Sequence, residues 1–130
     1  MNNSGKQEIV QYRLARAKET LKEVEIQIQN ELWFAAVNRL YYACFYAVIS
    51  LFTQYDIKTR THSGVRQMFG LHFIKPGIIN EELGEFYTEI FDLRQTGDYE
   101  DFIVFEKDKV ITLIPPARKL IEEIELLLSQ

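Results

Sequence analysis

The stretch ELWFAAVNRLYYACFYAVISLFTQ, residues 31–54, constrains the fold more than any other part of the chain. Apart from Asn38 and Arg39 it is apolar and aromatic nearly all round. A surface helix carries one apolar stripe, whereas a helix apolar on every side belongs at the centre of a bundle or in a membrane. The polar pair and the many tyrosines interrupt the run, so it is expected as a buried central helix and not as a membrane span. Burying Arg39 beside such a run is costly unless something pairs with it. The neighbouring elements must therefore supply a partner.

The rest of the chain reads as helices around this one. From Ile9 to Ile28 apolar residues recur three or four apart with charges between them, the helical period. Asn30 is placed to end this helix and cap the next. The polar segment Asp56–Thr61 is expected as a loop, followed by a short helix from His62 or Ser63 with Val65, Met68, Phe69 and Phe73 on one side. Pro76-Gly77 signals a turn. A fourth helix is expected from Asn80 to Gln95, broken at Gly97-Asp98. The last carries the stripe Val110, Leu113, Ile114, Ala117, Leu120, Ile121, Ile124, Leu127 and Leu128, which keeps its phase across Pro115-Pro116. That predicts one helix kinked at the prolines, or two abutting helices with a proline in the first turn of the second. Ile103–Phe105 would make a strand without a partner. The expected fold is all-α: an antiparallel up-down bundle of four long helices with one short helix inserted.

A chain of 130 residues suits one domain, here 1–130. The single cysteine, Cys44, excludes a disulfide framework or a cysteine metal cluster within one chain. The N-terminal MNNSGKQEIV lacks the pattern of a secretion signal, and the cytoplasm is the expected compartment. Charge is uneven. Residues 1–75 carry ten Lys/Arg against six Asp/Glu, a balance of +4, and residues 76–130 carry five against thirteen, a balance of −8. A basic patch can survive on an acidic protein, because steering follows local potential.

Few residues can carry chemistry. Arg39, Tyr42 and Tyr46, spaced by three and four, line one helical stripe beside Asn38. Arg39 is suited to a phosphate or carboxylate, or to pairing with an acidic residue of the fourth or last helix. His62, in THSGV, is either a base or ligand or a bridge between elements. In LRQTGDYED, residues 93–101, Arg94, Asp98 and Tyr99 stand where the helix is expected to give way to a loop, with an Arg94–Asp98 pair as the plainer reading. The histidines His62 and His72 lack ligand-spaced carboxylates, so no metal or cofactor is implied.

Taken in order, NRLYYACFYA, THSGV and RQTGDYED resemble the HEPN domain, and in particular the stand-alone bacterial and archaeal members with an N-R-x-Y-Y-A-x-F helix and an R-Q-x-x-D-Y segment. The resemblance covers roughly residues 8–128. It implies an up-down helical bundle and a homodimer with polar groups gathered in a cleft. It also implies a gene neighbour encoding a minimal nucleotidyltransferase, the HEPN protein being either a ribonuclease toxin or a nucleotide-binding helper. Asn38 and Arg39 would then share the cleft with Arg94, Asp98 and Tyr99, either through an Arg39–Asp98 bridge or with Arg39 and Arg94 gripping a phosphate together.

The chain departs from the nuclease pattern, in which a histidine follows the arginine by four to six residues. After Arg94 come Gly97, Asp98, Tyr99, Glu100 and Asp101. Cleavage through a 2′-hydroxyl needs a base near neutral pKa and a stabiliser for the developing charge. Arg94 can supply the second. The first falls to Asp98, normally too weak, or to His62 from another helix. The expectation is a dimeric protein that interacts with nucleotide or RNA and has little nuclease activity. The alternative is a non-catalytic interaction module in which Arg39 and Arg94 are each neutralised by a carboxylate. In some toxin pairs of this type a tyrosine hydroxyl accepts a transferred nucleotide, and Tyr99 would take that role here.

Overall fold

A computed structural model describes residues 3–130. Helix α1 spans Asn3–Gln29, α2 Trp33–Gln54, α3 His62–Phe69, α4 Glu81–Tyr99, α5 Lys107–Thr112 and α6 Ile114–Leu128. The described residues hold no strand; Ile103–Phe105 is loop. Helix α2 is the hub, packing against α1, α3, α4, α5 and α6. Its length and apolarity would suit a membrane span, but eleven of its residues are buried inside the bundle.

The stripe on α1 is Val10, Leu14, Ala17 and Val24, all buried. Their four- and three-residue steps (with Leu21 between) turn one face to α2. Ile26 falls off the stripe and is exposed. The chain reverses at Glu31, whose φ of 57° is left-handed. Asn30 closes α1 by donating from Nδ2 to the Ile26 carbonyl at 2.8 Å, but it does not cap α2. Leu32 holds that position without a side-chain bond, because the left-handed turn carries Asn30 away from the start of α2.

Helix α3 starts where a cap allows it: Thr61 Oγ1 accepts from the Gly64 N–H at 2.8 Å. Its last turn widens into a π-helical turn over Gly70–Ile74. Gly77, at φ 82°, makes the expected turn. Helix α4 opens on Asn80, whose side chain accepts from Glu82 N at 2.6 Å, with Glu81 and Glu82 in the positive first turn.

Two boundaries sharpen the sequence reading. Helix α4 does not break at Gly97-Asp98 but runs on to Tyr99. Gly97 is there for space: a Cβ would sit 2.8 Å from Phe105 Cε2 and 3.4 Å from Phe34 Cδ1. Asp98 is there for Arg94, one turn back. The last helix is kinked, as expected, and the break falls at Leu113, just before the prolines. A proline ring clashes with the carbonyl four residues earlier. Pro115 and Pro116 thus disturb Ile111 and Thr112, and the path resumes with both prolines in the first turn of α6.

Candidate functional site

The polar residues of α2 and α4 meet around two tyrosine rings. Arg94, on the inner face of α4, is only 6 % exposed. Its Cζ lies 4.8 Å from the Tyr41 ring centre and 5.7 Å from that of Tyr42. Its Nη1 reaches Asp98 Oδ2 and the Tyr42 hydroxyl, each at 3.4 Å. A guanidinium this buried needs both kinds of partner, carboxylate and ring face.

Arg39 approaches the same ring, with Cζ 5.0 Å from the Tyr42 centre. Tyr42 is therefore shared by two guanidinium groups. Arg39 also donates from Nε and Nη2 to Asn38 Oδ1 at 3.2 and 2.9 Å. The carboxylate it meets is Glu23 of α1, at 4.0 Å. The Arg39 of the buried run is thus answered by a neighbour, an aromatic face and an acid from the first helix. That acid comes from neither the fourth nor the last helix, and there is no Arg39–Asp98 bridge among the described residues, because Asp98 is taken by Arg94.

His62 is brought in from α3. Its ring centre lies 4.5 Å from that of Phe45 and 5.7 Å from that of Tyr42. Its Nδ1 is 2.7 Å from the Tyr41 hydroxyl. Desolvation, with a smaller push from the Arg94 charge, lowers its pKa from the usual 6.5; both disfavour the imidazolium. His62 is therefore neutral at pH 7. Burial raises the Tyr41 pKa to about 12, so that hydroxyl keeps its proton. When His62 Nδ1–H donates to the Tyr41 oxygen, Nε2 is left as the unprotonated nitrogen, suited to accepting a proton.

The fold thus brings together Asn38, Arg39, Tyr42, His62, Arg94 and Asp98. Tyr99 stands apart. Five residues beyond Arg94 on a helix is a rotation of about 140°, and Tyr99 is 77 % exposed on the outer face of α4, beside Asp92, Gln95 and Thr96. Tyr46 meets Arg16 of α1, ring centre to Cζ 5.1 Å. Sequence reasoning missed Tyr41, which orients His62 and stacks on Arg94. The doubled tyrosine in NRLYYA was its only signal. No group of three or more potential metal ligands occurs among the described residues.

Comparison with known proteins gives this arrangement a setting. Residues 10–127 match the family model of the HEPN domain. The UPF0332 protein of Thermotoga maritima is 39 % identical over 124 residues, covering 95 % of this chain and 94 % of its own. Two proteins of Methanocaldococcus jannaschii, each provisionally named a toxin, also align. One is 35 % identical over 78 % of this chain and 69 % of its own length. The other is 31 % identical over 90 % and 94 %.

Proposed function

The chain belongs to the HEPN family, and we propose that it is the nucleotide- or RNA-interacting, toxin-like half of a two-component system. In this reading it acts in the cytoplasm as a homodimer beside a minimal nucleotidyltransferase, and without strong ribonuclease activity. The toxin names of two relatives support the setting. The observation that carries the chemistry is His62, packed into the Arg94–Tyr41–Tyr42 cluster as a neutral imidazole.

The same geometry limits cleavage. A neutral histidine serves as a base near pH 7. The charge stabiliser must reach the phosphorane, and Arg94 is buried and engaged by Asp98. Arg94 accordingly positions His62 and the tyrosines, and turnover is slow. Tyr99, exposed on the outer face of α4, is open to modification by a nucleotidyltransferase: its oxygen attacks the α-phosphorus of ATP, pyrophosphate leaves and the hydroxyl proton passes to solvent.

Titration of the purified protein with a short single-stranded RNA at low and physiological salt tests this reading. Salt-sensitive binding with weak cleavage, both reduced in His62→Ala, is expected. Absence of binding at low salt overturns it.

A second reading is favoured by one observation: both arginines do meet a carboxylate, Glu23 at 4.0 Å and Asp98 at 3.4 Å. In that reading the protein is a non-catalytic interaction module. The exposed Tyr99, Phe102 and Val104 would supply its contact surface. Loss of partner or dimer contacts in Phe102→Asp, with no RNA binding by the parent protein, selects it.

A further inference from the structure

Beside His62 lies a cavity of about 600 Å³ between α1, α2 and the loop before α3. Its wall is apolar, with Phe45, Ile49, Ile57 and Val65, and three cations, Arg13, Lys58 and Arg60, stand around it. Arg13 is held to the wall by donating from Nη1 to Thr53 Oγ1 at 2.7 Å. Lys58 and Arg60 are exposed and make no ion pair among the described residues. The single acid at the cavity, Asp56, is already taken by Lys6 at 3.0 Å. Three positive groups thus face one neutralised carboxylate, next to a half-buried aromatic pair, Phe45 and His62, whose ring centres are 4.5 Å apart.

This combination has a specific chemistry. Unpaired cations around a cavity attract an anion. An apolar, aromatic wall takes a flat ring. A ligand that supplies both is a nucleotide: its phosphate meets Lys58, Arg60 and Arg13, and its base lies against Phe45. We propose that this cavity seats one nucleotide, either free or as a unit of a single strand, and delivers it to His62. The inference rests on the nucleotide- or RNA-interacting reading above and gives it a location that neither Arg39 nor Arg94 provides, since both are engaged with carboxylates. It also gives the positive balance of residues 1–75 a use: all three cations belong to that half of the chain.

The test is calorimetric titration of the full chain with AMP, UMP, inorganic phosphate and an RNA pentamer, at two salt concentrations. Lys58→Ala/Arg60→Ala is the probe variant. Arg118→Ala/Lys119→Ala, which removes two cations from α6 far along the chain, controls for net charge. The probe variant is expected to weaken binding about tenfold or more and to flatten the slope of log K against log salt by about one to two. The control is expected to stay within about twofold of the parent. Phe45→Ala is expected to weaken AMP and leave phosphate unchanged. Binding of AMP or UMP alone identifies a free nucleotide as the ligand, and binding of the pentamer without the mononucleotides identifies a strand; either supports the proposal. Phosphate binding as tight as AMP overturns it. Salt-sensitive RNA binding that both double variants weaken equally, or that neither changes, overturns the cavity and leaves the broader reading standing. No binding of any probe by the parent protein overturns both.

Discussion

The Tyr41 hydroxyl lies 2.7 Å from Nδ1 of His62 and ties the central helix to the short α3. Tyr41 is wholly buried, and His62 stands at the first position of its helix. The bond therefore fixes where α3 begins relative to α2, and with it where the imidazole sits relative to Arg94. Tyr41→Phe should lower unfolding stability by about 1 kcal/mol, the usual net worth of such a bond. The check is the urea midpoint at constant slope; an unmoved midpoint would show the bond to be idle.

His62 also sets a dependence on pH. Its folded pKa lies below the usual 6.5 because burial and, less strongly, Arg94 oppose its charge. The unfolded chain therefore binds the proton more readily, and stability rises with pH across that interval. The expected outcome is a constant His62 contribution above about pH 6.5 that is lost as the pH falls toward the lowered folded value. His62→Gln should flatten this part of the profile, measured by denaturant unfolding from pH 5 to 8.

Arg94 is buried with its charge, so removing it leaves Asp98 and the Tyr42 hydroxyl without their partner. Arg94→Ala should cost about 3 kcal/mol. Arg94→Lys should recover little, because an ammonium point charge cannot cover two ring faces and a carboxylate as the planar guanidinium does. In the lysine variant the His62 pKa, followed by NMR of the ring protons, separates the effects. A value still depressed as in the parent would show that charge position matters little there.

Two glycines predict opposite signs. Gly97 faces Phe105, and an added Cβ would lie 2.8 Å from its ring. Gly97→Ala gains about 1 kcal/mol of helix propensity and meets an overpacking cost of about 1–3 kcal/mol, so a net loss is expected. Gly70 has helical dihedrals, φ −60° and ψ −47°, with open space around its would-be Cβ. Gly70→Ala should stabilise by about 0.5–1 kcal/mol. Thermal melts of the pair decide it; equal shifts of one sign would defeat the packing account.

Much of this was legible in the sequence, and the limits have physical causes. The four- and three-residue steps of α1 and of α6 report burial directly, because a helix turns one face to its neighbours. The enclosed nature of α2 followed from apolarity on every side. Gly97 misled because glycine signals both a turn and a close approach, and sequence does not distinguish them. Tyr99 misled for the same reason: with α4 taken to end before it, its rotation away from Arg94 could not be seen. The recruitment of His62 depends on the cap at Thr61 and on Tyr41, twenty-one residues apart from it in the chain. The cations Arg13, Lys58 and Arg60 come from a helix and a loop separated by the whole of α2. No local pattern encodes such a meeting.

Pro115 and Pro116 carry no N–H, so the carbonyls of Ile111 and Thr112 have no donor four residues on. The hydrogen-bond ladder loses those two rungs, while Leu113 still bonds on both sides, its N–H donating to the Val110 carbonyl at 3.1 Å and its carbonyl accepting from the Ala117 N–H at 3.3 Å. Fewer backbone bonds therefore tie segment 100–112 to the α6 stripe than a continuous helix would supply. Phe102 and Val104 project from that segment. The two prolines thus place a joint between that exposed end and the α6 stripe, with Phe105 and Val110 of the same segment anchoring it in the core.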